Sequence, residues 1–153
     1  MRVFHSIDEL RGAAGEHLGY SEWRVITQHE VDLFADATGD RQWIHTNPER
    51  AKSGPFGTTV AHGYLTLSLV PQFVWTIYTV EGIGMALNYG SNKVRYPAAL
   101  PVGSRIRAGV ELLSVDPGAG GFTEKLRVTV EREGGDKPVC VAETVSVLFP
   151  EPA

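Results

Sequence analysis

An acid and an imidazole lie close together in the first third of the chain. Asp40 follows Gly39 directly, and His45 comes five residues later. Spacings of three and four place side chains on one face of a helix, so a spacing of five requires a loop that brings both into one cavity. A carboxylate beside an imidazole supplies a base and an acid for moving two protons near neutral pH. The spacing alone also fits a turn-forming aspartate followed by a surface histidine.

A second pair of residues, His62 and Gly63, stands where a long apolar helix is predicted to begin. The first turn of a helix offers unpaired N–H groups and a partial positive charge, which suit the stabilisation of an oxyanion. Gly63, which has no Cβ, would let a substrate carbonyl approach that backbone closely. The alternative is that His62 caps the helix and that Gly63 only relieves crowding. The remaining histidines, in polar surroundings, are expected to be solvated: His5, His17 and His29.

No metal site is predicted. No carboxylate or histidine cluster has the sequence spacing of metal ligands. The single cysteine, Cys140, excludes an internal disulfide and a cysteine-based metal site. Because Cys140 lies in a valine-rich run, we expect a buried, inert thiol rather than a nucleophile.

The helices that would position these residues are predicted in the first half of the chain. A capping box over Thr27–Glu30 begins a helix that Gly39 ends. Pro48–Ala51 has the form of a short helical turn with proline at its first position. A helix from about His62 to Tyr78 is apolar on most of its circumference, so it should be buried, and Pro71 should bend it.

After Gly82 the hydrophobic period changes from helical to two, which predicts an antiparallel sheet. The first strand should span Met85 to Tyr96. Three alternating sets follow, with a turn predicted over residues 116–121 between the first two: Ile106, Ala108, Val110 and Leu112; Phe122, Glu124, Leu126, Val128 and Val130; Val139, Val141, Glu143, Val145, Val147 and Phe149. The predicted fold is α+β, with the sheet wrapped around the long helix. A sheet of this kind leaves an edge and apolar area to cover, so a homo-oligomer is expected.

Length and composition limit the whole molecule. A chain of 153 residues, 42% hydrophobic and 21% charged, is expected to form one globular domain over residues 1–153. A formal charge of -4 without a basic stripe argues against a nucleic-acid partner. The start of the chain lacks the pattern of a signal peptide, and the longest apolar stretch, around Leu65 to Ile77, is shorter than a membrane span. We therefore predict a cytoplasmic protein with no membrane association.

Three motifs in order resemble those of the MaoC-like, R-specific enoyl-CoA hydratases, which have the hot-dog fold. The first is Gly39-Asp40 followed by His45, Pro48 and Ala51, and the second is Ala61-His62-Gly63. The third is the run Asn88–Pro97 before the turn Pro101-Val102-Gly103. The likeness covers roughly residues 20 to 149 and looks closest to single-hot-dog actinobacterial hydratases and nodulation-protein-N-like members.

The resemblance implies an activity and roles for particular residues. It implies syn addition of water to a trans-2-enoyl thioester of coenzyme A, with Asp40 and His45 holding the water and the N–H of Gly63 binding the thioester oxygen. A helical segment should overhang the central helix. Coenzyme A would be part of the substrate, and no cofactor would be needed. The residues expected to contact substrate are Gln42, Trp43, His62, Asn88, Lys93 and Arg95, with Arg105 and Arg107 as further candidates for the coenzyme A phosphates. Charges at the solvent-facing edge of a strand are an equally good explanation of Lys93, Arg95, Arg105 and Arg107.

One departure and two alternatives accompany this resemblance. Many members have Asn-Pro where this chain has Gln42-Trp43, so Gln42 is expected to orient Asp40 and Trp43 to fill part of the acyl pocket. A hot-dog thioesterase would share the fold, although such enzymes usually place their acid elsewhere. A non-catalytic acyl-thioester binder, or the partner subunit of a heterodimeric dehydratase, would typically lack the acid or the histidine.

Overall fold

A computed structural model describes residues 1–118 and 120–151. Position 119 of the predicted turn and the last two positions of the predicted domain lie outside these residues. The helices are α1 Ile7–Gly12, α2 Gln28–Thr38, α3 Trp43–Thr46, α4 Pro48–Ala51, α5 Gly63–Ser68 and α6 Val70–Ile77. The strands are β1 Arg2–Phe4, β2 His17–Tyr20, β3 Arg24–Val25, β4 Tyr78–Val80, β5 Ile83–Arg95, β6 Arg105–Gly118, β7 Gly121–Arg132 and β8 Cys140–Pro150.

Helix α2 has the predicted ends. The Thr27 hydroxyl accepts from the Glu30 N–H, and the Glu30 carboxylate accepts from the Thr27 N–H, which completes the capping box. Gly39 ends the helix in the left-handed conformation, at φ 79°, where a side chain would be strained. The loop predicted between Gly39 and Pro48 contains a helical turn, α3, so His45 lies on a helix rather than in a loop.

The single long helix predicted from His62 to Tyr78 was wrong in two respects. It is divided at Leu69 into α5 and α6. Pro71 stands in the first turn of α6, where backbone N–H groups make no intrahelical hydrogen bond, so the lack of an N–H on proline costs the helix nothing there. The two helices are also not buried on all faces: the side chain of Tyr64 is 71% exposed and that of Trp75 is 69% exposed. No helix within residues 1–118 and 120–151 has both the length and the apolarity that crossing a bilayer requires.

The main sheet has six strands and wraps around α5 and α6. Its order is β2-β6-β7-β8-β5, with β3 also paired to β6, and all these pairs are antiparallel. A separate small sheet pairs β1 with β4 in parallel. The sheet and the two helices share one core, which includes Val70 and Phe73 of α6 and Val110 and Val128 of the sheet. The predicted α+β hot-dog architecture is confirmed.

The inward faces of β6 and β7 are those predicted, whereas the prediction for β8 was wrong by one residue. The β6 set is fully buried, and β7 buries Glu124 together with its apolar neighbours. On β8, Cys140 and Ala142 stand opposite Val130 and Val128 of the inward face. The valines misled the prediction because β-branched residues favour either face of a strand. The inward residues of β8 are Cys140, Ala142, Thr144, Ser146 and Leu148.

Strand β5 forms a free edge of the sheet. It pairs with β8 on one side, and on its other side no strand is found among residues 1–118 and 120–151. Three large apolar side chains on β5 are half exposed or more: Met85, Leu87 and Tyr89. An uncovered apolar edge of this length is a surface on which another strand can pair.

Candidate active site

Three side chains that could do chemistry converge from three elements. Asp40 follows α2, His45 lies on α3, and His62 stands directly before α5. One carboxylate oxygen and one ring nitrogen from each histidine lie within 4.8 Å of one another. The Asp40 side chain is 53% exposed, whereas both imidazoles are buried. The fold therefore brings an accessible acid against a buried pair of histidines.

The main chain fixes the tautomer of His45. Its Nδ1 lies 2.6 Å from the carbonyl oxygen of Val60, and a carbonyl oxygen only accepts, so Nδ1 carries the proton and donates. The Val60 N–H in turn donates to the carbonyl of Ile44, at 3.0 Å. In the neutral ring, Nε2 is then the acceptor nitrogen and can accept a hydrogen bond from water.

His62 lies behind His45 and supports the Asp40 segment. Its Nε2 is 2.9 Å from the carbonyl oxygen of Asp40, so Nε2–H donates. The two imidazoles are stacked, with ring centroids 3.8 Å apart and an angle of 24° between planes. The side chain of His62 makes no capping hydrogen bond to α5. His62 is therefore the N-cap residue of α5 by position, but its side chain does not cap the helix.

The Asp40 carboxylate is oriented by the backbone rather than by a neighbouring amide. Its Oδ1 accepts from the Gln42 N–H at 3.5 Å, and the Asp40 N–H donates to the Thr38 hydroxyl at 3.4 Å. Gln42 is exposed, and within the described ranges its side-chain amide makes no hydrogen bond to Asp40. The expected contact of the Gln42 amide with Asp40 is thus absent from this arrangement.

A residue that the sequence did not single out, Gln28, connects the elements around His45. Its Nε2 donates to the carbonyl oxygen of His45 at 2.7 Å, and its Oε1 accepts from the Thr59 hydroxyl at 2.6 Å. Gln28 is the first residue of α2, so a single amide ties α2, α3 and the segment before α5 together. No pattern within the chain marks this role, since the partners lie 17 and 31 residues away.

Gly63 begins α5 under an aromatic ring. A Cβ at this position would stand 3.0 Å from ring atoms of Tyr96, so the ring packs directly on the glycine. This is the crowding that the sequence offered as the alternative explanation of Gly63. The N–H groups of the first helical turn have no intrahelical acceptor, and that of Gly63 is the first of them.

Trp43, on α3, is partly buried. Its ring faces the guanidinium of Arg50, 4.4 Å from the ring centroid, and a Cβ on Gly54 would come within 2.9 Å of it. Cation–π contact of this kind holds the ring over α4. Trp43 does not line the cavity of about 470 Å³ between the central helices and the strands β5, β7 and β8.

The candidate phosphate ligands divide into two groups. Lys93 and Arg95 are exposed on β5, and no ion pair to either is found within residues 1–118 and 120–151. Arg105 pairs with Glu133 at 2.8 Å and Arg107 with Glu131 at 2.5 Å, across β6 and β7. The first group has cationic charge available for a ligand, and the second is engaged within the sheet.

A cavity of about 470 Å³ lies between the central helices and the strands β5, β7 and β8. Of the predicted site residues it is lined by Asn88 alone. In sequence, the lining residue nearest to His62 and Gly63 is Leu67, four residues after Gly63, which corresponds to about 6 Å along a helix axis. Other residues of its wall are Val70, Pro71, Val74, Trp75, Tyr78, Glu124, Leu126, Thr144, Ser146 and Leu148.

Sequence spacing showed no cluster of metal ligands, but the fold assembles one from Asp40, His45 and His62. Its geometry is unfavourable for an ion, however. A nitrogen ligand binds zinc at about 2.0–2.1 Å along its in-plane lone pair. Two nearly parallel rings with centroids 3.8 Å apart cannot both aim in-plane lone pairs at one point. The arrangement suits hydrogen bonding and proton transfer better than metal coordination.

Comparisons with known proteins find relatives along nearly the whole chain. A family model described as "MaoC like domain" matches residues 9–135. The 3-hydroxyacyl-thioester dehydratase Z of Mycobacterium tuberculosis is 57% identical over 146 residues, covering 95% of this chain and 97% of the relative. Nodulation protein N of Rhizobium leguminosarum is 38% identical, covering 96% and 93%. A solved structure described as a monoamine oxidase regulatory protein, from Archaeoglobus, has a TM-score of 0.78 at 25% identity and covers 99% and 98%.

Proposed function

Since the chain belongs to the MaoC-like dehydratase family, we propose that it catalyses the reversible hydration of trans-2-enoyl-CoA to (R)-3-hydroxyacyl-CoA. Hydration and dehydration are one reaction in opposite directions, and the mycobacterial relative is named for the second. The observation that carries the proposal is the meeting of Asp40 with His45, in a tautomer that leaves Nε2 as an acceptor.

In the proposed mechanism the pair holds one water molecule between two acceptors. One O–H of the water donates to the Asp40 carboxylate and the other to Nε2 of His45. Asp40 accepts a proton as the water oxygen attacks the β-carbon and the double-bond electrons move towards the thioester. The proton held by the pair is then delivered to the α-carbon on the same face. The substrate gains the H and OH of a single water, so no external base is consumed.

The N–H of Gly63 would stabilise the charge that develops on the thioester oxygen. It stands at the start of α5, where the partial positive charge of the helix favours an enolate. Loss of one such donor typically costs about 2.7–4 kcal/mol of barrier. Because His62 is buried against His45 and Asp40, we propose that it supports the pair from behind rather than touching substrate.

The remaining proposals concern the binding of coenzyme A, the oligomeric state and the cell compartment. Lys93 and Arg95 supply the charge for coenzyme A phosphates on the exposed β5 strand, and Asn88 faces the acyl cavity. A second copy of the chain is the proposed partner, and coenzyme A enters only as part of the substrate. The reducing cytoplasm is the proposed compartment, in which Cys140 stays a thiol.

The test is loss of the enoyl absorbance of crotonyl-CoA. Wild-type protein should consume it and yield the R product, and Asp40→Asn and His45→Gln should each lower kcat by roughly 100- to 10,000-fold. His29→Gln is the matched control, because His29 is an exposed histidine of α2 outside the cluster, and it should retain wild-type activity.

Other outcomes would redirect the proposal. Release of free coenzyme A thiol by hydrolysis of the thioester, without hydration of the double bond, would indicate a thioesterase. No reaction with crotonyl-CoA or with a longer enoyl chain would indicate a binder or the partner subunit of a heterodimer. An S-configured product would contradict the stereochemistry while leaving the hydratase reaction in place.

A further inference from the structure

A row of polar residues crosses the sheet where it faces the cavity. Glu124 of β7 stands opposite Ser146 of β8, and Ser146 stands opposite Asn88 of β5. All three line the cavity. Residues in register on one face of adjacent strands have neighbouring side chains, so the three form one continuous strip.

Glu124 is the unusual member of this row. It is 4% exposed, and its neighbours on the inward face of β7 are apolar and buried: Leu126, Val128 and Val130. Within residues 1–118 and 120–151 it has one hydrogen bond, in which the Tyr78 hydroxyl donates to Oε1 at 2.5 Å, and no cation pairs with it. Burial raises the pKa of Glu124, although the hydrogen bond from Tyr78 opposes this, and burial raises the pKa of Tyr78 as well.

A buried carboxyl group with a single neutral partner is costly for the fold. Burying a polar group without full hydrogen bonding destabilises the folded state, and a leucine at this position would continue the apolar face. Glu124 lines the cavity, so its Oε2 is available to a molecule that occupies this space. The residue type is therefore better explained by a ligand than by packing.

The position of the row along the helices defines what part of a ligand would reach it. The helical residues of the cavity wall include Leu67 of α5 and Val70 and Val74 of α6, and Tyr78 follows directly after α6 as the first residue of β4. Gly63 and Tyr78 are 15 residues apart, at most roughly 22 Å along a helix axis. An acyl chain that starts at the Asp40–His45 pair would pass an apolar stretch before meeting the polar row.

We propose that Glu124, with Ser146 and Asn88, forms a specificity site for a hydroxyl group on the acyl chain, remote from the reacting double bond. The proposal rests on the proposed function, whose substrate class it narrows. A hydroxyl group can donate to Oε2 of Glu124 and accept from Ser146 or Asn88. An unsubstituted chain would displace water from Glu124 without replacing its hydrogen bond. A site that hydrogen-bonds a hydroxyl group therefore discriminates strongly against a substrate that lacks this group.

The first experiment compares pairs of medium- and long-chain trans-2-enoyl-CoA substrates, equal in length, with and without a hydroxyl group on the terminal carbon. At the length that reaches the row, wild-type kcat/KM should favour the hydroxylated member by at least roughly tenfold. Glu124→Leu should reverse this preference. Lys125→Gln, on the opposite face of β7, is the control and should keep both the preference and the activity. Should Glu124→Leu fail to fold, Ser146→Val should still reduce the preference severalfold.

The second experiment measures binding without catalysis, by calorimetric titration of the saturated acyl-CoA pair. Tighter binding of the hydroxylated ligand to wild type, lost in Glu124→Leu, would support the site even if crotonyl-CoA were not hydrated. Hydration of crotonyl-CoA together with equal binding and turnover of both members of every pair would overturn the site and leave the proposed function standing. Equal binding without any hydration would overturn both.

Discussion

At the scale of single residues, the stacking of the two histidines supports the proposed positioning role of His62. It contributes a hydrogen bond to the Asp40 carbonyl and a flat surface to His45, and its Nδ1 is the one enclosed polar side-chain atom without a partner in the described part of the chain. Removing such an atom need not destabilise the fold, because an unpaired buried polar group is itself unfavourable.

His62→Phe tests this role. Phenylalanine keeps the stacking but loses the bond to the Asp40 carbonyl, so we expect kcat to fall roughly tenfold, with KM nearly unchanged. A shift in the pH optimum of kcat should accompany the loss, since Asp40 would no longer be held against His45. Calorimetry should show no decrease in Tm beyond a few degrees. Wild-type kcat with a wild-type pH profile would mean that His62 only fills space.

Glu124 predicts a pH dependence of stability. Burial raises its pKa in the folded protein, so the folded state holds the proton more tightly than the unfolded chain. The free energy of unfolding should therefore fall as pH rises from the ordinary pKa of a glutamate through the raised folded value. Glu124→Gln has no proton to lose and should not show this fall. Denaturant unfolding of both proteins across this pH range measures the difference, and parallel curves would contradict it.

The candidate catalytic residues could be named from the sequence, but their arrangement could not be predicted from it. Asp40, His45 and Gly63 lie in sequence motifs that identify them as candidate site residues. By contrast, the contact of Gln28 with His45, or of Tyr78 with Glu124 across 46 residues, depends on how the elements pack. Glu124 was visible as an acid in an apolar alternation, yet the alternation alone does not show that a cavity lies before it.

At the scale of elements, the start of α5 depends on close packing between Gly63 and the ring of Tyr96. Gly63→Ala keeps the N–H group but places a methyl group about 3.0 Å from the ring. We expect a loss of about 1–3 kcal/mol in the free energy of unfolding, measured by denaturant titration. Replacing Tyr96 by a smaller residue in the Gly63→Ala protein should recover part of the lost free energy of unfolding, and a double-mutant cycle measures this recovery.

Gly12 provides the matched control for this substitution. A Cβ there would meet no atom within 4 Å, so Gly12→Ala should be neutral or stabilising by up to about 1 kcal/mol. Equal effects of the two substitutions would contradict the packing explanation.

The elements also show where sequence patterns stop being informative. Capping residues fixed both ends of α2 because their hydrogen bonds are local. Pro71 indicated a bend in the central helix, but whether the helix bends or restarts is decided by its packing on the sheet. The inward face of β8 is set by its register with β7, and a run with valines on both faces does not reveal that register.

At the scale of the whole molecule, the uncovered β5 edge predicts a homodimer. Leu87 and Tyr89 are 50% and 75% exposed on a strand that lacks a second neighbour in the described structure. Leu87→Lys should shift the mass measured by light scattering from dimer to monomer at equal concentration. Val3→Lys, which charges an exposed apolar residue of β1, should leave the mass unchanged. A wild-type monomer would contradict the prediction.

The strand order also imposes a sequence of events on folding. The neighbours β6, β7 and β8 follow one another along the chain, so they can form two local hairpins early. In contrast, among the strands of the described residues β5 pairs with β8 alone, and Ile83 lies opposite Pro150. During synthesis, β5 leaves the ribosome long before β8 and must wait unpaired with its apolar side chains exposed. A chain stalled before residue 140 would carry the acid and all the histidines, yet it would be a substrate for chaperones or aggregation rather than an enzyme.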